Sequence, residues 1–365
     1  MKTAIAILNW NGRKLLEEFL PSVVSFSKGA AIYVIDNASD DDSVKYLKSN
    51  YPQIKIIQNE GNFGYAKGYN EGIKKILRQA QDDIGEVQDN SQENQKNINY
   101  QSHAELVKAH NSTPEIFCLL NSDVKVTENW LDPVVELFQK DENIAAIQPK
   151  ILDYKNPEYF EYAGAGGGFI DNLGYPLCRG RVFWTLEKDE GQYNDCIQTF
   201  WASGACLFIR KKDFEEIGGF DEGFFAHMEE IDLCWRLNNS HKKVFYCGES
   251  TIYHLGGGTL KSSNPKKTYL NFRNSLWMLV KNLPEWKTFP FVFARLSLDG
   301  ITGIVFLFYE GFPHLWAVVD SHFGFYKKIS HYRKLRKPGV RNYYHKNWVP
   351  FQYFLLKRKF YKDLK

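Results

Sequence analysis

The six cysteines, at 118, 178, 196, 206, 234 and 247, form no CxxC pair. Most sit in apolar runs such as FCLL at 117–120, the setting of reduced core thiols. A signal-peptide pattern is also missing, because the apolar run 3–8 is followed at once by the polar NWNG of 9–12. Both features favour the cytoplasm. Long hydrophobic runs are absent too. The most apolar stretch, 289–323, is interrupted by Arg295, Asp299 and Glu310, and its longest uncharged run, 300–309, is too short to span a bilayer. Large apolar residues are few in 79–113, a Gln-, Asn- and Asp-rich segment expected to be a mobile surface insertion with a short helix near 103–109. Acid is scarce late in the chain. Residues 261–365 hold 20 Lys+Arg against 5 Asp+Glu, whereas the remainder holds 26 against 38. A basic, aromatic tail on an acidic body points to an anionic surface as its partner, or to the acidic body itself. There is no internal repeat, and no nucleic-acid partner is expected.

What is present is globular. A chain of 365 residues, 44% hydrophobic and 24% charged, can bury a large core. Strand-like runs at 3–8, 31–35 and 54–58 alternate with helix-like runs at 13–26, 41–50 and 65–77. That alternation predicts an α/β fold, a mostly parallel sheet with helices on both faces. Ligands of such sheets bind beyond the carboxyl ends of the strands. Those ends, 9–11, 36–39 and 59–64, are rich in Asn, Asp, Ser and Gly. An apolar strand at 116–120 ends in Asn121-Ser-Asp123, with a helix at 130–139 and a strand at 145–147 beyond. Loops and short strands fill 160–200, a strand-like run covers 200–209, another strand lies at 243–247, and YHLGGGT follows at 253–259. The stretch 289–323, read as a helix, puts Arg295, Asp299, Thr302 and Glu310 on one narrow face. It suits either an interfacial amphipathic helix, with basic 327–337 meeting anionic lipid, or a core-facing helical hairpin.

The densest chemistry lies in FDEGFFAHMEEIDLCWR, residues 220–236. A helix over 228–237 places Glu230 on a face with Leu233, Cys234 and Leu237, while Asp232 stands four residues before Arg236, the spacing of an ion pair. Desolvation raises a carboxyl pKa and makes a general base; acids also favour a helix's first turn for its dipole. This stretch alone leaves both readings open. Asp123 at a strand end suits a divalent cation or a plain turn. His254, before three glycines, adds an imidazole suited to Mn²⁺ or a similar ion with diphosphate oxygens completing the shell. Asp36 can accept hydrogen bonds from a base or ribose, and GNFGYAKGYNEG at 61–72 sets glycines and Asn70 at a loop–helix junction where backbone N–H groups can face phosphate.

ILNWNG at 7–12, VIDNASD at 34–40, the 61–72 loop, LLNSD at 119–123 and the 220–236 stretch, in that order, resemble glycosyltransferase family 2 in its rhamnosyltransferase-like branch. The resemblance covers about residues 1–280 apart from the insertion. It implies a GT-A fold over 1–264; the C-terminal helical, basic region 265–365 is expected, on its own composition, to associate with a membrane or to pack on the core. It also implies a nucleoside-diphosphate-sugar donor, a divalent metal (Mn²⁺ or Mg²⁺) and inversion at the anomeric carbon. On this resemblance Asn9, Asn11, Asp36, Asn37, Asn62, Gly64, Gly68, Asn70 and Asn121 belong to the nucleotide-sugar pocket. Asp123 and His254 are the metal ligands, Asn121 standing where the family's metal motif usually has its first acid. Glu230 falls on the catalytic base, usually an Asp, with Glu229 and Asp232 beside it. Trp201, Ser203, Gly204 and Trp235 face the acceptor, and residues 269–277 resemble a later Tyr…Arg-Asn segment.

The implied function is transfer of a sugar, rhamnose first, to a glycan or lipid-linked glycan in surface polysaccharide synthesis, at the inner face of the cell membrane. A catalytically inactive nucleotide-sugar or glycan-binding module is the alternative; a nucleotidyltransferase would carry a Gly-rich, Arg-containing loop where this chain has NWNG.

Overall fold

The computed structural model describes residues 1–93, 113–256, 264–337, 339–340 and 342–365. The first strands form where the sequence is apolar: β1 (Thr3–Asn9), β2 (Ala31–Asp36), β3 (Lys55–Gln58) and β4 (Ile116–Asn121). They continue with β5 (Val124–Val126) and β6 (Ile144–Asp153). The short strands β7 (Gly168–Ile170), β8 (Pro176–Cys178), β9 (Arg181–Val182) and β10 (Thr185–Leu186) make a separate four-stranded sheet. β11 (Cys196–Thr199), β12 (Cys206–Arg210) and β13 (Lys243–His254) complete the main sheet. Its nine strands run β11-β13-β6-β12-β4-β1-β2-β3, with β5 paired to β13 off this path. The pairs β1–β2, β1–β4, β2–β3 and β6–β13 are parallel, while β12 is antiparallel to both neighbours.

Burial on both faces explains the unbroken apolar strands. In β4, Phe117 and Leu119 join one core cluster, while Ile116, Cys118 and Leu120 join the other. The covering helices are α1 (Arg13–Phe26), α2 (Ser43–Asn50), α3 (Gly64–Glu93), α4 (Asp132–Lys140), α5 (Lys211–Glu216) and α6 (Glu229–Asn239). α1 seats Leu16, Phe19, Leu20 and Val23, one helical stripe, against the sheet.

Three expectations change. α3 does not stop near residue 77 but runs to Glu93, so the first part of the polar insertion is helical; the helix expected near 103–109 lies outside the described residues. The strand expected at 243–247 continues to His254 as one twelve-residue strand, β13, with an irregularity between Cys247 and Thr251. The uncharged run 300–309 belongs to a much longer helix, α8 (Glu285–Tyr309), flanked by α7 (Pro265–Asn282) and α9 (Phe312–Lys334). A short α10 (Val349–Phe354) follows. Among the described residues, α8 is the helix long and apolar enough, by length and composition, to cross a membrane.

The charges that interrupt α8 in sequence are turned inward. Arg295 donates to the Leu173 carbonyl and to Ser275 Oγ, each at 3.1 Å, and lies 3.8 Å from the Tyr175 ring centroid. Asp299 is fully buried, 3.7 Å from Arg295 and 3.8 Å from His322. The opposite side is open: Phe289 is 81% exposed and Phe308 79%, and Phe312, Trp316 and Phe323 of α9 are also exposed.

α7 is part of the main core. Leu276, Trp277, Met278 and Leu279 join the same cluster as the sheet residues Phe117 and Leu207. Trp277 stacks on Tyr332 of α9 at 4.5 Å and donates its indole N–H to the Phe325 carbonyl at 3.2 Å. Trp277→Ala should therefore cost about 3–5 kcal/mol, read as a lowered urea midpoint. A loss no larger than that of a surface substitution would place α7 outside the core.

Candidate active site

The parallel register lines up one edge of the sheet. Asn9 pairs with Asp36 across β1 and β2, and Asn121 lies opposite Leu8. The fully buried Asp36 carboxylate is held by its neighbours: Asn9 Nδ2 donates to it at 2.9 Å, Ser39 Oγ at 2.6 Å and the Ser39 amide at 2.9 Å. Asn37 donates to the Gly64 carbonyl at 3.0 Å and accepts from Asn59 at 2.8 Å. Gly68 is needed here, because a Cβ would fall 2.8 Å from Asn37 Nδ2. Asn11 and Asn62 sit at the exposed rim. Asn11 Oδ1 accepts from the Asp40 amide at 2.9 Å, and Asn62 Oδ1 accepts from the Gly64 amide at 3.1 Å.

Asn70 departs from expectation. Its amide donates to the Phe220 carbonyl at 2.9 Å and accepts from the Phe220 amide at 3.0 Å, which clamps α3 to the segment before α6. It is a structural tie, with both ends of its amide turned to protein rather than to a ligand.

A second corner is built from residues far apart in sequence. β5 runs antiparallel to β13 with Val124 opposite His254. That register carries Asp123 to His254, Oδ1 to Nε2 at 3.1 Å, and the Asp123 carbonyl accepts from the Leu255 amide at 3.0 Å. The other ring nitrogen, Nδ1, lies 3.4 Å from Glu161 Oε1. Burial alone would lower the imidazole pKa, but the Glu161 and Asp123 carboxylates outweigh it and raise it to about 10. Among the described residues no group of three or more His, Cys, Asp or Glu is arranged to hold a metal by itself. The buried carboxylate–imidazole pair is a two-ligand donor set, which suits a divalent ion completed by substrate oxygens and water. Gly256 follows with φ +67°; the other glycines of that run lie outside the described residues.

The third corner is the start of α6. Three non-glycine residues there take left-handed backbone: Phe225 (φ 64°), His227 (69°) and Met228 (71°). Such conformations cost free energy and persist only where the surroundings over-determine them. The surroundings come from α7. Asn274 Nδ2 lies 3.0, 2.9 and 2.8 Å from the carbonyls of Phe224, Ala226 and His227. From the other side, the Tyr65 amide donates to the Phe225 carbonyl at 2.8 Å. Gly64 must lack a side chain, since a Cβ would lie 2.6 Å from that same carbonyl oxygen.

The three acids then separate. Asp232 is fully buried and neutralised: Arg236 Nε lies at 2.8 Å, Lys281 Nζ at 3.0 Å and Asn282 Nδ2 at 2.8 Å. Burial pulls its carboxyl up, but Lys281, Arg236 and Asn282 together hold it below the ordinary value. It is an anchor, which corrects its placement in the catalytic set. Glu230 has no such partner. Burial pushes it up to about 7, and its Oε2 is buried without a hydrogen bond. Glu229 is raised further, by burial and then by Glu230. The second and third corners share a neighbourhood. The Cys178 thiol, pushed up to about 11 by burial, feels Arg181 and the carboxylates of both Glu161 and Glu230.

The acceptor set is corrected. Trp201 is buried, donates to the Phe169 carbonyl at 2.8 Å and packs against Gly168, where a Cβ would lie 2.3 Å from its ring. Trp235 is fully buried, stacked at 5.1 Å on Tyr343. Ser203 is buried, its amide bonded to Gln148 at 2.9 Å. These three are core residues. Gly204 remains partly accessible and accepts from Tyr65 Oη at 2.8 Å. The sequence reading missed Glu161, Asn274 as a clamp, and Lys281; the Arg-Asn pair within 269–277 was the available signal for Asn274.

A mixed, mostly parallel sheet with polar strand ends on one side and an acid-bearing helix on the other has the architecture of the GT-A fold. Residues 4–79 match the family model for glycosyl transferase family 2. The chain is 24% identical over 247 residues to the N-acetylglucosaminyl-diphospho-decaprenol L-rhamnosyltransferase of Mycobacterium tuberculosis, covering 66% of this chain and 71% of that protein. It is likewise 24% identical over 273 residues to the low-salt glycan biosynthesis hexosyltransferase Agl10 of Haloferax volcanii, covering 74% and 73%. The structure of GalNAc-T7 with UDP, GalNAc and Mn²⁺ aligns with a TM-score of 0.55 at 17% identity, over 79% of this chain and 49% of that one, a likeness of fold. The chain is thus similar to glycosyltransferase family 2, through the model match over residues 4–79 and through relatives at 24% identity.

Lys281 bridges Asp221 and Asp232, at 2.6 and 3.0 Å. Lys281→Met leaves both acids short of a cation, and breaking such a buried network should cost about 3–5 kcal/mol. Thermal melting reads this directly, and an unchanged melting temperature would show that Arg236 and Asn282 suffice.

Proposed function

We propose that the chain is an inverting, metal-dependent glycosyltransferase. It moves a sugar, rhamnose first among the candidates, from a nucleoside-diphosphate donor to a glycan or lipid-linked glycan acceptor in surface polysaccharide synthesis. The observation that carries this reading is Glu230: a carboxyl raised to about 7, with a buried, unpartnered oxygen, two residues from a fully neutralised Asp232. Glu230 takes the proton of an acceptor hydroxyl as that oxygen bonds to the anomeric carbon; the bond from this carbon to the diphosphate oxygen breaks, and the configuration inverts. Asn9, Asp36 and Asn37 line the nucleotide end, with Asn121 at the same edge. Asp123 and His254 would hold a Mn²⁺ or Mg²⁺ ion, which supplies positive charge for the leaving diphosphate. Rhamnose and a polyprenyl-diphosphate acceptor are favoured by the decaprenol-linked rhamnosyltransferase relative.

Membrane contact belongs to the same proposal. The exposed aromatic face of α8 and α9 is far larger than scattered surface apolar residues require, and Lys327, Lys328, Arg333 and Lys334 lie on α9. An in-plane contact with an anionic bilayer at the inner face of the cell membrane fits both features.

Two tests follow. Glu230→Gln should retain donor binding and lose ~10²–10⁴-fold in turnover. In the wild type kcat/KM should rise with pH through about 7, because the base must be ionised. The sign for stability is opposite. A folded pKa above the ordinary value near 4.5 means that stability is lost as pH rises from there through about 7. Glu230→Gln should therefore melt higher than wild type at pH 8, and a variant that is no more stable and fully active would remove Glu230 as the base.

Separately, the wild-type protein should co-sediment with phosphatidylglycerol-containing vesicles, and Phe289→Ser with Phe308→Ser and Trp316→Ser should abolish this without changing the melting temperature. Sedimentation unaffected by the triple change would place the contact elsewhere.

A further inference from the structure

We infer that Glu161 is a positioning residue for His254, holding the imidazole in the tautomer and orientation that a metal ligand needs. The inference rests on the metal reading above and adds a residue that no motif of the chain announces.

The imidazole is bracketed by two carboxylates, one at each nitrogen. Nε2 faces Asp123 at 3.1 Å, and Nδ1 faces Glu161 at 3.4 Å. All three side chains are nearly closed to solvent, and Nδ1 is buried without a hydrogen bond, with Glu161 Oε1 at 3.4 Å facing it. Glu161 is itself fixed. Its amide donates to the Ile151 carbonyl at 3.0 Å, and its second oxygen, Oε2, accepts from the Ala163 amide at 2.5 Å. Gly256 keeps the space beside Oε1 open, since a Cβ there would lie 3.2 Å from that oxygen.

A neutral imidazole carries its one proton on one nitrogen and coordinates through the other. A carboxylate that accepts the Nδ1–H keeps the proton on that side. Nε2, the nitrogen next to Asp123, is then the one free to coordinate. Carboxylate partners of this kind orient ligating histidines and raise their basicity. Glu161 already has one oxygen committed to its own turn, which suits it to orient the ring rather than to be a third ligand.

The test is calorimetric titration of Mn²⁺ into the full-length protein in the presence of UDP. Glu161→Gln should weaken Mn²⁺ binding by ~10–100-fold and leave UDP binding in EDTA unchanged. Glu161→Asp, which keeps the carboxylate at a shorter reach, should recover part of the loss, as a merely structural role would not. Unchanged Mn²⁺ affinity in Glu161→Gln, with wild-type binding intact, overturns the role of Glu161 alone. If Glu161→Gln fails to fold, Glu161→Asp with wild-type Mn²⁺ affinity overturns it equally. A wild-type protein that takes up no Mn²⁺ overturns the metal reading and this inference with it.

Discussion

Three carboxylates enter the protein interior within four residues, and the site is shaped by how each is compensated. An isolated buried charge is too costly to persist, so each acid must be paired, protonated or partly solvated. Asp232 is paired, by Arg236 one turn along and by Lys281 and Asn282 from α7. Glu229 is pushed well above the ordinary carboxyl value by burial and by Glu230. Glu230 falls between, raised only to about 7, where both protonation states are accessible at neutral pH. A base of this kind needs the pairing of Asp232 to be complete. A second unneutralised acid on the same turn would push Glu230 further up and out of the working range.

The same contacts tie the C-terminal region to the chemistry. Lys281 and Asn282 neutralise the anchor acid, and Asn274 holds the strained backbone that aims the first turn of α6. From the opposite side, Gly64 and Tyr65 meet the same strained segment through the Phe225 carbonyl. Since Asn37 bonds the Gly64 carbonyl and the next amide, Tyr65, bonds Phe225, the polar strand ends are tied to the segment that leads into α6. Rigid second-layer support of this kind sets positions to fractions of an ångström, the scale on which reactive geometry is decided.

Much of this was legible in the residues. Period and composition give β1, β2, β4 and α1 nearly to the residue, because a strand buried on both faces is unbroken apolar sequence and a covering helix shows one apolar stripe. The Asp232–Arg236 pair follows from their four-residue spacing. What the sequence hides is long-range. Glu161 and His254, 93 positions apart, meet only because β6 and β13 run parallel and end together, with His254 opposite Asp153. Trp201 and Trp235 face the acceptor on the family resemblance, and a Trp carries no local sign of the core that covers it. Tyr343, which covers Trp235, comes from over a hundred residues away. Asn70 misleads for a related reason: an amide beside glycines suits a phosphate and a backbone clamp equally well, and only the position of Phe220 decides.

The charges of α8 show how one feature takes opposite meanings in sequence and in space. Along the chain, Arg295 and Asp299 break an apolar stretch. In three dimensions they lie one helical turn apart on the face turned to the body, where Arg295 reaches the Leu173 carbonyl, Ser275 and the Tyr175 ring. An inward charged stripe fixes the rotation of the helix, since turning it outward would abandon those contacts. The aromatic residues on the other side are thereby held outward, with no core of their own chain to enter. The exposed face of α8 and α9 is thus a consequence of the buried polar contacts. An apolar phase meeting that face would find a helix already oriented, with no rearrangement of the protein needed to present it.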